Sequence, residues 1–284
     1  GDEPGCRSTI ARALPLAKAH RAVLPWSAEL VRFSGPFAAL LAAGPEAAAD
    51  EARAALASDG PTADATRGTW RFLLGFALVV AGRLDAAAEH LDEAARELDG
   101  HDLISARPLA LAARAWAAAQ SGDVTTARAL LDATVEAAAV DGRVAVQVAV
   151  ADAWCDVFEQ GRPTTASTTK LLDAAAAAVD GAQVLSGVLV LHELVRTGDA
   201  GAALAPLERI GRSAPSSWLL SVVTERARAH ASDDLAGRRR LARRLERSWP
   251  LVAAEEHVAL GQLLMAQHDE VAAARATLDA HRLA

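Results

Sequence analysis

Three carboxylates stand out in an otherwise apolar stretch. Asp152, Asp156 and Glu159 lie at i, i+4 and i+7 between Val144 and Gln160, a spacing that puts all three on one face of a helix. Carboxylates so arranged accept hydroxyl protons, an indole face stacks on sugar C–H groups, and an imidazole or guanidinium completes the hydrogen bonds. Trp116, Gln120, His192, Arg196 and Glu225 supply those other groups, so the eight residues together make a candidate site for a small hydroxyl-rich ligand, a di- or oligosaccharide. A plainer reading stands beside it. Every amphipathic helix carries a polar stripe, Trp116 and Trp154 serve equally well as core anchors, and His192 as a bystander.

The residues that catalysis needs are missing. Neither Lys18 nor Lys170 follows a glycine, so no phosphate-binding loop is present. There is no His-Glu-x-x-His, no two histidines are four residues apart, and there is no Gly-x-Ser-x-Gly elbow. Cys6 and Cys155 have no partner at metal-ligand spacing, and nothing about them asks for an oxidising compartment. The expectation is a cytoplasmic binding protein, not an enzyme, with no cofactor and no metal. Phe72 to Gly82, the longest apolar run, is too short to cross a bilayer. The first residues offer neither an initiator Met nor a signal-peptide core, so the chain reads as a piece of something longer.

The elements that must position these residues are helices. Runs of alanine recur at 47–49, 117–119, 137–139 and 174–178, Tyr is absent, and aromatics make up only 4% of the chain, too few for a sheet protein. With 52% hydrophobic and 23% charged residues the chain has enough apolar surface to fold. A repeat is visible from Thr69 to Leu98: a helix with Leu74, Gly75 and Leu78 ends at Gly82, and a second follows with Ala87, Leu91 and Ala94. Gly122-Asp123 follows Gly82 by 40 residues, Gly161 comes 39 later, and Gly198-Asp199 a further 37. Two more units turn near Ser232-Asp233 and at His268-Asp269. The predicted fold is all-α, a right-handed superhelical solenoid of about six tetratricopeptide-like hairpins over residues 66–284. Residues 1–65 hold three weaker helical stretches, near 8–22, 27–42 and 46–57, that cap or extend the array. Such an array is expected to be soluble and elongated.

In helical-repeat arrays the first helices line the concave surface. Counting back from each turn places Trp116 and Gln120 there in the second unit, and His192 and Arg196 in the fourth. The irregular fifth contributes Trp218, Glu225 and Arg228, and the sixth Glu255 and Gln262. One basic run, Arg238 to Arg247, is interleaved with Leu241 and Leu245 at i, i+4. In a chain of net charge −7 it reads as a solvated convex face and not as a nucleic-acid surface.

The segments "HELVRTGDAGAALAPLERI" (192–210), "RARAHASDDLAG" and "LVAAEEHVALGQLL" (251–264), with 27 arginines against two lysines, resemble large LuxR-type transcriptional regulators. These are signal-transduction ATPases related in plan to the bacterial maltose regulator. The resemblance runs from about residue 20 and implies a regulatory sensor domain, flanked in the full-length protein by an ATPase module and a DNA-binding domain. Neither the phosphate-binding loop nor the Thr-x-Arg-Glu signature is in this chain. The partner so implied is a small-molecule inducer, a sugar in the namesake, or an inhibitory protein. The sensor itself touches neither nucleic acid nor membrane. A protein–protein scaffold, the commonest use of free-standing tetratricopeptide arrays, is the other reading.

Overall fold

One backbone device recurs at the turns. Gly82, Gly122 and Gly198 take positive φ (82°, 82° and 101°). The next N–H then returns to the carbonyl five residues back: Arg83 to Leu78 at 2.9 Å, Asp123 to Ala118 at 2.9 Å and Asp199 to Leu194 at 3.1 Å. Ala182, Asp233 and His268 do the same with a side chain in the left-handed region. Four of the residues that follow are aspartates whose carboxylates cap the next helix, Asp123 on Thr126, Asp199 on Ala202, Asp234 on Gly237 and Asp269 on Ala272. The same residue therefore ends one helix with its N–H and begins the next with its side chain.

The computed structural model describes residues 3–58, 63–212, 214 and 216–283, and these are all-α, without a strand. The N-terminal part holds α1 (Glu3–Ala19), α2 (Ser27–Arg32), α3 (Gly35–Ala43) and α4 (Pro45–Leu56). Helices then follow in pairs: α5 (Ala63–Ala81) with α6 (Leu84–Glu97), and α7 (Ala106–Gln120) with α8 (Val124–Asp132) and the short α9 (Val135–Val140). Next come α10 (Gly142–Gln160) with α11 (Thr165–Asp180), and α12 (Val184–Arg196) with α13 (Ala200–Gly211). The last two pairs are α14 (Trp218–Ala231) with α15 (Leu235–Leu245), and α16 (Pro250–Ala266) with α17 (Glu270–Leu283). The stretch 27–42, expected as one helix, is two, because Pro36 sits in the first turn of α3, where its missing N–H is not needed.

Within a pair the fit depends on small side chains. Ala87, Leu91 and Ala94 of α6 are fully buried against α5. A Cβ on Gly75 would stand 2.6 Å from Leu91 Cγ, so any larger residue there would push α6 away.

The pairs do not touch only their sequence neighbours. Contacts run α5 to α7, α7 to α10, α10 to α12 and α12 to α14; α14 then meets α3, which meets α5, so the first helices close into a ring. Trp249, fully buried at the start of α16, completes the closure. Its indole N–H donates to the Val80 carbonyl at 2.7 Å, across 169 residues. Val80 lies in the last turn of α5, where a helix leaves its carbonyls without a partner. Beside it, Leu251 packs on the Gly82 turn so closely that a Cβ there would meet it at 2.2 Å. Gly82 is thus required twice, for its positive φ and for this approach. The accessible surface, 13345 Å², is moderately above the roughly 11,500 Å² that a compact monomer of this mass has.

Trp249→Phe keeps an aromatic ring in place but leaves the Val80 carbonyl buried and unpaired. A loss of about 1–3 kcal/mol is expected in urea unfolding, and a variant as stable as the parent would show that this bond does not hold the closure.

Candidate functional site

The carboxylate ladder exists, and it is occupied by the protein's own cations. On α10, Asp152, Asp156 and Glu159 all meet Arg128 of α8, with Asp156 at 3.0 Å and Glu159 at 3.1 Å, and Asp152 in close contact. Lys170 of α11 pairs with Asp156 at 2.8 Å and also contacts Asp152. The face that carries the ladder is therefore the one against α8 and α11. Burial would raise the Asp156 carboxyl, but Lys170 and Arg128 outweigh it and hold it below the usual carboxylate range. The ladder is a clasp between three helices.

Trp116 and His192, which counting from the turns places on the concave surface, are core residues. Each is 2% exposed. Trp116 packs edge-on to Phe76 at 6.1 Å and borders a void of only about 20 Å³ with Gln147 and Val150, too little for a sugar. Gln120, at the end of α7, has both amide atoms buried without a partner among the described residues. His192 stacks on Trp249 at 4.4 Å. Burial, then Arg226 and Arg196, push its imidazole well below the ordinary range, so it is neutral in the folded protein.

Glu225 and Arg228 face outward, on Arg244 of α15 at 2.8 Å and Glu208 of α13 at 2.8 Å. The reason is register. Glu225 as the ninth residue of its unit puts the fifteenth at Ala231, whereas the left-handed residue is Asp233. Two residues swing a helix face through roughly 200°.

What the fold does assemble is a cleft of about 650 Å³ between α12, α14, α15, α16 and α17. Of the expected residues it contains Arg196, Glu255 and Gln262, and it adds Arg226, His230 and Arg238. Arg196 Nη2 meets Glu255 at 2.8 Å and its Nη1 meets Glu193 at 2.9 Å, while its guanidinium lies over the Trp154 ring at 5.1 Å. Trp154 in turn donates to Glu193 at 2.7 Å. Arg226 Nη2 bonds Glu255 at 2.7 Å and its Nε bonds Glu256 at 2.7 Å, while His230 Nε2 reaches the same Glu256 oxygen at 2.7 Å. Arg226 Nη1 and Glu256 Oε2 are buried with no partner among the described residues. Burial pushes the Glu255 carboxyl up, but Arg196 and Arg226 more than offset it and pull it down to about 2. Burial also raises Glu193, and Arg196 and Trp154 only partly counter it. Val195, Ala254, Val258 and Ala259 give the cleft an apolar side.

Sequence reasoning missed Arg226, His230 and Glu256. The signal was there: Glu255, Glu256 and His257 interrupt a helix whose only other polar side chain is Gln262, and charges so placed must be paired in the fold. The basic run also departs from a solvated face at one end. Arg238 is 7% exposed and reaches the Ala229 and His230 carbonyls at 3.3 and 3.4 Å, closing the end of α14. Cys155 is buried, and burial raises its thiol pKa; the side chain of Cys6 lies outside the described residues. Among the described residues no group of three or more metal ligands forms, and no helix is long and apolar enough to cross a membrane.

The described residues thus define an all-α chain of paired helices with an ion-paired cleft near its C-terminal end. No family model matches the chain, and neither a curated protein nor a solved structure does.

Two measurements follow. Arg128→Met leaves Asp152 and Asp156 to Lys170 alone and takes from Glu159 its ion pair, and is expected to cost about 1–2 kcal/mol, against less than about 0.5 for Arg228→Met, whose single pair is exposed; equal losses would show that the clasp is an ordinary surface pair. Because His192 is neutral when folded, the unfolded chain takes up an extra proton below its ordinary pKa of 6.5, and stability falls as pH drops through that range. His192→Phe keeps a ring on Trp249 and cannot protonate, so its urea midpoint should fall less between pH 7.5 and 5 than the parent's. An unchanged pH slope would contradict a buried neutral His192.

Proposed function

We propose that the chain is the ligand-sensing module of a cytoplasmic regulator of the LuxR type, binding a small, neutral, hydroxyl-rich inducer of saccharide class. In this reading the helix pairs form a tetratricopeptide-like superhelical array drawn closed on itself, and the ligand enters the cleft between α12, α14, α16 and α17. That is one to three units further along the chain than the site expected from the carboxylate ladder.

The observation that carries the reading is the charge balance of the cleft. Arg196 and Arg226 each bridge two of the carboxylates Glu193, Glu255 and Glu256, so both guanidiniums are fixed before a ligand arrives. Fixed donors beside fixed acceptors, with little net charge, suit hydroxyls that both donate and accept, and repay an ion poorly. Gln262 is exposed at the mouth and adds an amide. A volume of about 650 Å³ suits a ligand of one or two sugar rings. The reading assigns binding and no catalysis to the cleft: a carboxyl held at about 2 exchanges no proton near neutrality. The ATPase and DNA-binding modules that the resemblance implies would flank this chain.

Calorimetry against a panel of neutral saccharides tests it. Binding in the micromolar-to-millimolar range is expected, about −4 to −8 kcal/mol. Glu255→Gln and Gln262→Ala should each weaken it by about 1–3 kcal/mol, while Asp156→Asn leaves it unchanged. If no saccharide binds, or if folded Glu255→Gln and Gln262→Ala both bind like the parent, the reading fails and the scaffold for a protein partner takes its place.

A further inference from the structure

The arginine run of α15 is divided between tasks. Arg238 closes α14, Arg244 pairs with Glu225 at 2.8 Å, and Arg240 lies 3.9 Å from Asp234. Arg239 and Arg243, one turn apart, have no ion pair among the described residues, and neither does Arg275 of α17. All three border one cleft of about 420 Å³ between α15, α16 and α17, on the other side of α16 from the larger cleft. Its apolar floor includes Leu260 and Leu264.

His257 of α16 forms part of the same wall. Its side chain is 5% exposed, and neither ring nitrogen has a hydrogen-bond partner among the described residues. Glu246 lies 3.8 Å from Nε2, beyond hydrogen-bond reach. A buried imidazole without a partner is penalised unless something in the cleft meets it. Two carboxylates also border the cleft, Asp269 and Asp279. Asp269 spends one oxygen on the Ala272 N–H at 3.1 Å. Three unpaired guanidiniums therefore face two carboxylates, whereas the guanidiniums that line the larger cleft, Arg196, Arg226 and Arg238, are each ion-paired.

We propose that this cleft is a second ligand site, one that takes a small organic phosphate. The phosphate lies across Arg239, Arg243 and Arg275, with one oxygen accepting from His257, and its carbon body covers Leu260 and Leu264. A phosphate has enough oxygens to engage three guanidiniums at once, which a single carboxylate does not. The proposal is independent of the saccharide reading, since the two clefts share helices α15, α16 and α17 but no lining residue.

The test is calorimetry of the whole chain with inorganic phosphate and with phenyl phosphate at constant ionic strength. Two double variants are compared: Arg239→Gln with Arg243→Gln in the cleft, and Arg240→Gln with Arg247→Gln outside it, on α15 and in the turn that follows it. Saturable binding is expected, tighter for phenyl phosphate because of the apolar floor, weakened at least about tenfold by the cleft pair and changed less than about twofold by the other pair. The ring resonances of His257 should shift on titration. Equal weakening by both pairs would reduce the effect to general charge and overturn the proposal. So would the absence of saturable binding, an unmoved His257, or binding of a polyglutamate peptide in place of either phosphate.

Discussion

A hydrogen bond between residues 169 positions apart ties the start of α16 to the end of α5. The last turn of α5 leaves the Val80 carbonyl unpaired, and the Trp249 indole N–H fills that need at 2.7 Å. Because the indole is fully buried, its remaining surface has to be covered, and His192 at 4.4 Å and Trp218 at 6.3 Å cover it. Helices α5, α12, α14 and the start of α16 are thereby held at one point. The faces that these helices turn toward one another are thereby covered. This is why Trp116 and His192 are core residues, and why the Gly82 turn must accept Leu251.

Closure moves the polar site outward and toward the C-terminal end. With the ring interior filled, the charged residues of the last first-helices meet where α12, α14 and α16 converge. Burial there makes each charge dependent on a partner: Glu255 is stable as a carboxylate only between Arg196 and Arg226. Helix α16 separates two clefts of different electrical character. On one side the guanidiniums of Arg196, Arg226 and Arg238 are each ion-paired; on the other, three guanidiniums stand open beside a buried imidazole without a hydrogen bond. The first arrangement suits hydroxyls, the second a phosphate.

Local chemistry was legible in the sequence and long-range pairing was not. Gly82, Gly122 and Gly198 announce their turns because only glycine enters the left-handed region freely, and the aspartates after two of them announce the next helix. The alanines and leucines at matching offsets announce the buried seams of the pairs. Asp152, Asp156 and Glu159 were correctly placed on one face, but the sequence does not say that Arg128 and Lys170, 24 and 18 residues from Asp152, would claim them. Counting from the turns put Trp116 and His192 on the inward surface; whether that surface is open depends on Trp249, which no local pattern ties to Val80. In the fifth unit the turn lacks glycine, the count slipped by two, and Glu225 was assigned to the wrong face. Asp233 supplies the left-handed turn there, a position at which aspartate is tolerated without being diagnostic.

The most direct test of this account is a distance across the closure. Spin labels at Asp85, just after the Gly82 turn, and at Arg247, just before Trp249, both stand at exposed positions. A closed ring predicts one narrow distance distribution at the short end of the measurable range. An open array, with five successive helix spacings of about 9 Å between the labelled units, places them about 45 Å apart. A distribution centred there would contradict the closure, and with it the burial of His192 and the assembly of the cleft.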